Sequence, residues 1–245
     1  MGYLSLKLDH VAVLREARRI KSPDPAQAAV LAELAGVDGL ALHLRRDRRH
    51  MRDRDLFVLK EIADTRLTVE IAPTEENIAR ILEAKPYMAI FVPEGDRELS
   101  SQAGFDLSGD EEFPEDGIIR LKESGVRVAV LINPEVEAVK MASRMGFDAV
   151  KIFTGLYTGA RDEKEGLAEL EKIRRVAAAA GKSDLLVMAG QGLNYQNLQP
   201  LVQLGVIDEY IIGQAACARA VMVGMDQAVR ELLAIIRQDS TSGAV

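Results

Sequence analysis

The sequence predicts a single eight-stranded α/β barrel, (β/α)8, and three observations predict it. The chain has 245 residues, close to the roughly 250 at which such a barrel closes one large core. Short runs rich in β-branched and apolar residues alternate with stretches of helical periodicity, as repeated parallel βαβ units require. Glycines at 36, 125, 146, 181 and 205 fall where a helical stretch ends and the next strand begins, positions that suit a left-handed C-terminal residue.

Taken in order, strands are expected at residues 4–11, 39–44, 67–71, 88–92, 126–132, 149–153, 185–189 and 210–212. Helices are expected at 25–35, 53–64, 75–84, 114–124, 134–145, 163–180, 194–204 and 215–237. Pro25 suits a first helical turn, and Pro134 follows Asn133, a candidate cap. Between Gly95 and Phe113 runs an acidic segment with Gly and Ser and little periodicity, long enough to be an active-site loop or lid. The barrel is expected to occupy 1–238, with 239–245 a frayed tail.

Composition narrows the function. With 48% apolar and 28% charged residues the chain is globular, and no apolar run nears the ~18 residues of a membrane span. The N-terminus enters a strand pattern at Tyr3, without the regions of a secretory signal, so a cytoplasmic protein with no membrane partner is expected. Cys217 is the only cysteine, which leaves no intrachain disulfide and no cysteine-based zinc site. A net charge of −7 argues against nucleic-acid binding, which needs a positive surface. Local positive charge is different: Arg45, Arg46, Asp47, Arg48, Arg49 and His50 form either a small-phosphate site or a solvated mixed run.

Side chains along a barrel strand alternate between interior and helix-facing sides. If Leu4, Leu6 and Leu8 face the helices, Lys7 and Asp9 face inward near the carboxyl end of the first strand. The same parity turns His43 inward on the second strand, Glu70 on the third and Lys151 on the sixth. One such residue alone reads as a strand-end charge that reaches water. Four strands delivering ionisable groups to one packed interior, where unpaired charge costs several kcal/mol, read as an active site.

At this point the residues resemble a family. Leu8-Asp9-His10-Val11-Ala12, Pro23-Asp24-Pro25, His43-Leu44-Arg45 with Asp47-Arg48-Arg49-His50, Glu70, Thr74-Glu75-Glu76, Val92-Pro93-Glu94, Thr154-Gly155, Ala189-Gly190 with Gly192, and Ile212-Gly213 closely resemble pyridoxine 5′-phosphate synthases over nearly the whole chain. The resemblance implies a homo-oligomer, octamer or at least dimer, without metal or organic cofactor, that condenses 1-deoxy-D-xylulose 5-phosphate with 3-amino-2-oxopropyl phosphate. It implies that Asp9, His10, Arg45, His50 and Ser100 hold the sugar phosphate. Arg18, Gly192 and Gly213 would hold the second phosphate, with His43 and Glu70 as acid–base groups. Elementary chemistry agrees: an arginine fork with a histidine suits a phosphate dianion, and glycines ending the seventh and eighth strands form the usual phosphate corner of such barrels. A Glu facing a partly dry cavity is expected to have its pKa raised.

The sequence also departs from that family's pattern. Lys7 replaces an Asn, Lys151 a catalytic Glu, and Gln191 a catalytic His, while Gln214 replaces the His after the last glycine. Lys151-Ile152-Phe153-Thr154-Gly155 is similar to the Lys-x-x-Thr-Gly of deoxyribose-phosphate aldolases, whose lysine forms a Schiff base. Lys7 would help to depress the Lys151 amine, while pairing of Lys151 with Asp9 or Glu70, or plain phosphate binding, are the alternatives. Three functions follow: an enzyme acting on small phosphorylated ketones or aldehydes through Lys151, an authentic pyridoxine 5′-phosphate synthase, or a binding protein for phosphosugars or B6 vitamers.

Overall fold

A computed structural model describes residues 2–95, 101–107 and 113–238. Its eight strands are β1 Tyr3–Lys7, β2 Gly39–His43, β3 Arg66–Ile71, β4 Met88–Phe91, β5 Arg127–Ile132, β6 Ala149–Phe153, β7 Leu186–Gly190 and β8 Glu209–Ile212. They pair in parallel in chain order, and β8 closes on β1. Among the described residues the helices are α1 Asp9–Arg18, α2 Pro25–Ala35, α3 Asp53–Ile62, α4 Glu75–Ala84, α5 Glu115–Glu123, α6 Val136–Arg144, α7 Gly155–Thr158, α8 Glu163–Lys182, α9 Leu198–Val202, α10 Gln214–Val223 and α11 Met225–Gln238. The predicted (β/α)8 barrel is the observed one.

Strand parity sorts the core into two layers. Leu4, Leu6, Leu40, Leu42, Val69, Ile71, Val150 and Ile152 face outward and pack under the helices. Ala41, Met88, Ile90, Val92, Ala129, Leu131, Ala149, Phe153, Met188 and Ile211 fill the interior. At ~1.5–3 kcal/mol per fully buried large aliphatic side chain, these layers dominate the stability of the fold. Register then sets the site: His43 stands opposite Glu70 across β2 and β3, and Lys151 stands between Leu131 and Met188.

Local chemistry fixes most helix limits. Asp24 caps α2 by accepting the Ala26 amide at 3.0 Å, and Gly36 ends that helix at φ 100°. Asp162 caps α8 through the Glu165 amide at 2.8 Å.

Several expected limits are corrected. The first strand stops at Lys7 rather than reaching residue 11, because the alternation of Leu4, Leu6 and Leu8 gives way to buried residues at 8, 11, 12 and 15, a helical spacing. That helix, α1, was not expected, nor was the single turn α7. The expected helix at 215–237 is two helices, α10 and α11, parted at Gly224 with φ 86°. Residues 194–197 form a turn instead of opening α9, since the Asn194 side chain accepts the Gln196 and Asn197 amides while Asn197 Oδ1 accepts the Asn194 amide. Among the described residues no helix is long and apolar enough to cross a membrane. The expected tail at 239–245 and part of the expected lid lie outside the described residues.

Candidate active site

A cavity of about 300 Å³ opens at the carboxyl ends of the strands. The sequence contains three histidines, and all three, His10, His43 and His50, line it with Lys7, Asp9, Ser101, Gln191, Gly192, Gly213 and Gln214. In a barrel this is the end at which reacting groups gather, because each loop there is free to vary while the strands hold it.

Beneath the cavity lies an ionic layer. Glu70, 1% exposed, bridges two lysines: Oε1 to Lys151 Nζ and Oε2 to Lys7 Nζ, both at 2.5 Å. Lys7 also reaches Asp9 Oδ2 at 3.1 Å. Lys7, Glu70 and Lys151 are thus inside the barrel, as strand parity predicts. Asp9 joins them from the first turn of α1 rather than from a strand.

The charges decide what these groups do. Burial alone would raise the Glu70 carboxyl, but the Lys151 and Lys7 ammoniums outweigh it and hold it well below the usual carboxylate range. This corrects the expectation of a raised glutamic acid: Glu70 is a fixed carboxylate with both oxygens occupied. Burial would lower the Lys7 amine, yet Asp9 and Glu70 carry it above its ordinary value, so it stays an ammonium. Lys151 goes the other way; burial lowers it further than Glu70 restores it. Mutual depression of the two lysines is thus realised on Lys151 alone. Lys151 is 1% exposed and belongs to the layer without lining the cavity.

His43, the last residue of β2, has Nε2 2.8 Å from Glu94 Oε1. Glu94 Oε2 accepts the Arg46 amide at 3.1 Å, which fixes the carboxylate that orients the imidazole. Burial pushes the Glu94 carboxyl up, but His43, the Arg46 amide and the Arg45 charge together outweigh it and draw it down. Sequence reasoning gave Glu94 no role. Its signal was its place just past β4, at the catalytic end of the barrel.

Asp9 Oδ1 accepts the His43 backbone amide at 2.7 Å. With Oδ2 on Lys7, the side chain locks β1, α1 and β2 together.

His50 Nδ1 accepts the Met51 amide at 2.8 Å, so the neutral ring carries its proton on Nε2. Burial is the main cause that pushes this imidazole down to about 4. Its backbone is anchored by Arg15, which donates to the His50 carbonyl at 2.9 Å and forks onto Asp55 at 2.8 and 2.7 Å. Among the described residues His10 Nδ1 is buried with no hydrogen-bond partner. Gly213 explains the close fit there: a Cβ at that position would lie 2.9 Å from His10 Nδ1 and from Lys7 Cβ. Gly192, at φ 74°, would drive a Cβ into the Thr158 hydroxyl. Gln191 holds φ 94°, the left-handed region, and its side-chain amide donates to the Ser101 carbonyl at 3.2 Å.

The other expected binding residues divide. Gln214, Gly192 and Gly213 are at the cavity. Arg45 is not among its lining residues: it is 2% exposed and donates to the Gly95 carbonyl at 3.1 Å. Arg18 is exposed in the last turn of α1 and does not line the cavity either. Ser100 lies outside the described residues; its neighbour Ser101 lines the cavity. Among the described residues no group of three or more His, Cys, Asp or Glu could hold a metal ion.

Against known proteins, structural likeness extends to the thiamine phosphate pyrophosphorylase of Pyrococcus furiosus (TM-score 0.64, 15% identity, 96% of each chain). It extends also to the phosphoribosyl anthranilate isomerase of Thermus thermophilus (TM-score 0.61, 14% identity, 97% of this chain and 99% of that one). At such identities the likeness concerns the barrel alone. Sequence likeness is much closer. The pyridoxine 5′-phosphate synthase of Geotalea uraniireducens is 41% identical over 237 residues, 97% of this chain and 99% of that protein. The one of Syntrophotalea carbinolica is 42% identical over 232 residues, 95% and 97% of the two chains. The family described as "Pyridoxal phosphate biosynthesis protein PdxJ" matches residues 4–238, and the chain belongs to that family.

Proposed function

We propose that this member is an enzyme acting on small phosphorylated ketones or aldehydes, joining two such compounds by condensation or aldol-type chemistry. The observation that carries the reading is the convergence of every histidine in the chain on one cavity that is floored by an ammonium. His50 Nε2, His10 and the backbone at Gly192 and Gly213 would grip the phosphate, with the amides that open α10 adding positive field. His43, oriented by Glu94, would move a proton at the carbon beside the carbonyl; Glu70, held by two lysines, would fix the floor and take no proton.

Proton exchange tests this directly. In deuterium oxide the protein should catalyse exchange of the hydrogens beside the carbonyl of 1-deoxy-D-xylulose 5-phosphate or dihydroxyacetone phosphate, followed by proton NMR. His43→Gln should slow that exchange roughly 100-fold or more. No exchange with any phosphorylated ketone would remove the reading.

A second reading, an imine at Lys151, is favoured by one observation: burial lowers that amine toward the neutral form a nucleophile needs. It requires the Glu70 and Lys7 layer to open, because Lys151 does not line the cavity. Borohydride trapping with a phosphosugar, mapped by mass spectrometry, should then label Lys151.

We also propose self-association of the chain. The support is the apolar surface of α2 and α10, where Leu34, Val221 and Met222 are 72%, 71% and 77% exposed. Sedimentation velocity tests it, and a monomer at micromolar concentration would refute it.

A further inference from the structure

We propose that the phosphorylated ketone taken at the floor of this cavity ends in an anionic group, a carboxylate, that meets the Lys7 ammonium, and that the site rejects a partner ending in a protonated amine. This rests on reading the mouth as a site for phosphorylated carbonyl compounds and adds the charge of the reacting partner.

Donors and acceptors at the floor are unequally used. A lysine ammonium has three donors. Lys7 spends one on Asp9 Oδ2 at 3.1 Å and one on Glu70 Oε2 at 2.5 Å, and among the described residues no third acceptor reaches it. Its side chain is 12% exposed and lines the cavity, so the remaining donor is the one a bound compound can meet.

Among the described residues at the cavity and its floor, each carboxylate is already engaged. Asp9 gives its oxygens to the His43 amide and to Lys7. Glu70 gives both to lysines. Glu94 gives one to His43 and one to the Arg46 amide.

Asp9 and Glu70 are thus already engaged by Lys7 and Lys151 within the layer. An incoming ammonium would therefore add an unpaired positive charge beside Lys7 in a partly dry space, where like charges repel more strongly than in water. An incoming carboxylate finds a free charged donor. Lys7 is further set against the start of α10: a Cβ on Gly213 would touch both its Cβ and its carbonyl oxygen, at 2.9 and 3.0 Å. The positive end of that helix favours the same sign of ligand.

Three phosphorylated three-carbon ketones that differ only at the far end decide the matter. Phosphohydroxypyruvate ends in a carboxylate, dihydroxyacetone phosphate in a hydroxymethyl group and 3-amino-2-oxopropyl phosphate in an ammonium. Calorimetric titration of the full chain at neutral pH should give the tightest binding for the carboxylate, about tenfold tighter than for the hydroxymethyl compound, with the ammonium compound weakest.

In Lys7→Asn, or in Lys7→Met if the Asn variant is unstable, the carboxylate advantage should vanish while the hydroxymethyl compound still binds. Because the ranking is read first on the natural chain, it does not depend on either variant folding. Ammonium binding as tight as or tighter than carboxylate overturns the inference. Equal binding of all three overturns it too, yet leaves the phosphorylated-carbonyl reading standing; binding of none removes that reading, and the inference with it.

Discussion

The floor and the rim of the cavity are built on opposite principles. On the floor every charge has a partner: Lys151, Glu70, Lys7 and Asp9 form an unbroken chain with contacts of 2.5 to 3.1 Å, almost sealed from solvent. On the rim, His10 Nδ1 is buried without a partner among the described residues, and the neighbouring Gln191 and Gly192 both hold left-handed backbone. A closed ionic chain persists without a ligand, since each desolvated charge is compensated. Unpartnered polar atoms and strained backbone persist only where something else compensates them, as a bound ligand does. The floor therefore sets the charge and shape of the cavity, and the rim does the gripping.

Breaking the floor should have the largest effect. Glu70→Ala removes the carboxylate that two lysines share and leaves Lys151 buried without a counter-charge. Removing one partner of a buried pair costs roughly 3–5 kcal/mol. For a domain of this size that is roughly 6–20 °C in Tm, read by calorimetry or circular dichroism. A fall of under about 2 °C would show that the layer is wet and loosely coupled, and the contrast with the rim would collapse.

The rim should answer to pH and to anions, with a smaller effect. His50 is pushed down to about 4 by burial, whereas an unfolded histidine titrates near 6.5. Between those values the unfolded chain binds a proton that the folded chain refuses. The stabilising contribution is thus complete above about pH 6.5 and is lost progressively as pH falls toward 4. A bound dianion reverses the preference by favouring the imidazolium. Sulfate, which keeps its charge throughout this range, should therefore raise Tm more at pH 5 than at pH 7, and His50→Asn should flatten that difference. A sulfate effect independent of pH in the natural chain would remove His50 from the grip.

The sequence revealed the floor far better than the rim, for physical reasons. Period-two alternation survives in short strands whatever the tertiary context, so the inward direction of Lys7, His43, Glu70 and Lys151 is legible in the sequence. Direction says nothing of partners: that Glu70 would sit between two lysines, with its carboxyl held down instead of raised, depends on register across β1, β3 and β6. The rim is made by loops, where no period operates. Arg45 illustrates the loss, since its neighbours in sequence suggest a phosphate fork while its guanidinium turns to the Gly95 carbonyl. Glu94 illustrates the reverse: a loop carboxylate that carried no expected role orients the central histidine. At the opposite end of the barrel Glu209 was equally unmarked, yet it is buried and accepts the Ser5 hydroxyl at 2.5 Å.

The smallest stability change expected on the floor comes from Lys151→Met, and it separates the floor's two possible roles. Methionine approximates the lysine stem in length and shape, so the space beneath Glu70 stays filled. Unlike Glu70→Ala, the change strands no charge, because Glu70 keeps Lys7. Removing a desolvated amine that already leans toward neutrality should move stability by less than about 1.5 kcal/mol in either direction, small beside the 3–5 kcal/mol expected for Glu70→Ala. If Lys151 serves only as a buried counter-charge, proton exchange catalysed through His43 should survive within about tenfold. If Lys151 forms an imine, turnover should disappear while the fold, the Tm and the binding of sulfate remain. Exchange kinetics and melting measured on the same preparation of this variant therefore assign the deep lysine either to the architecture or to the chemistry.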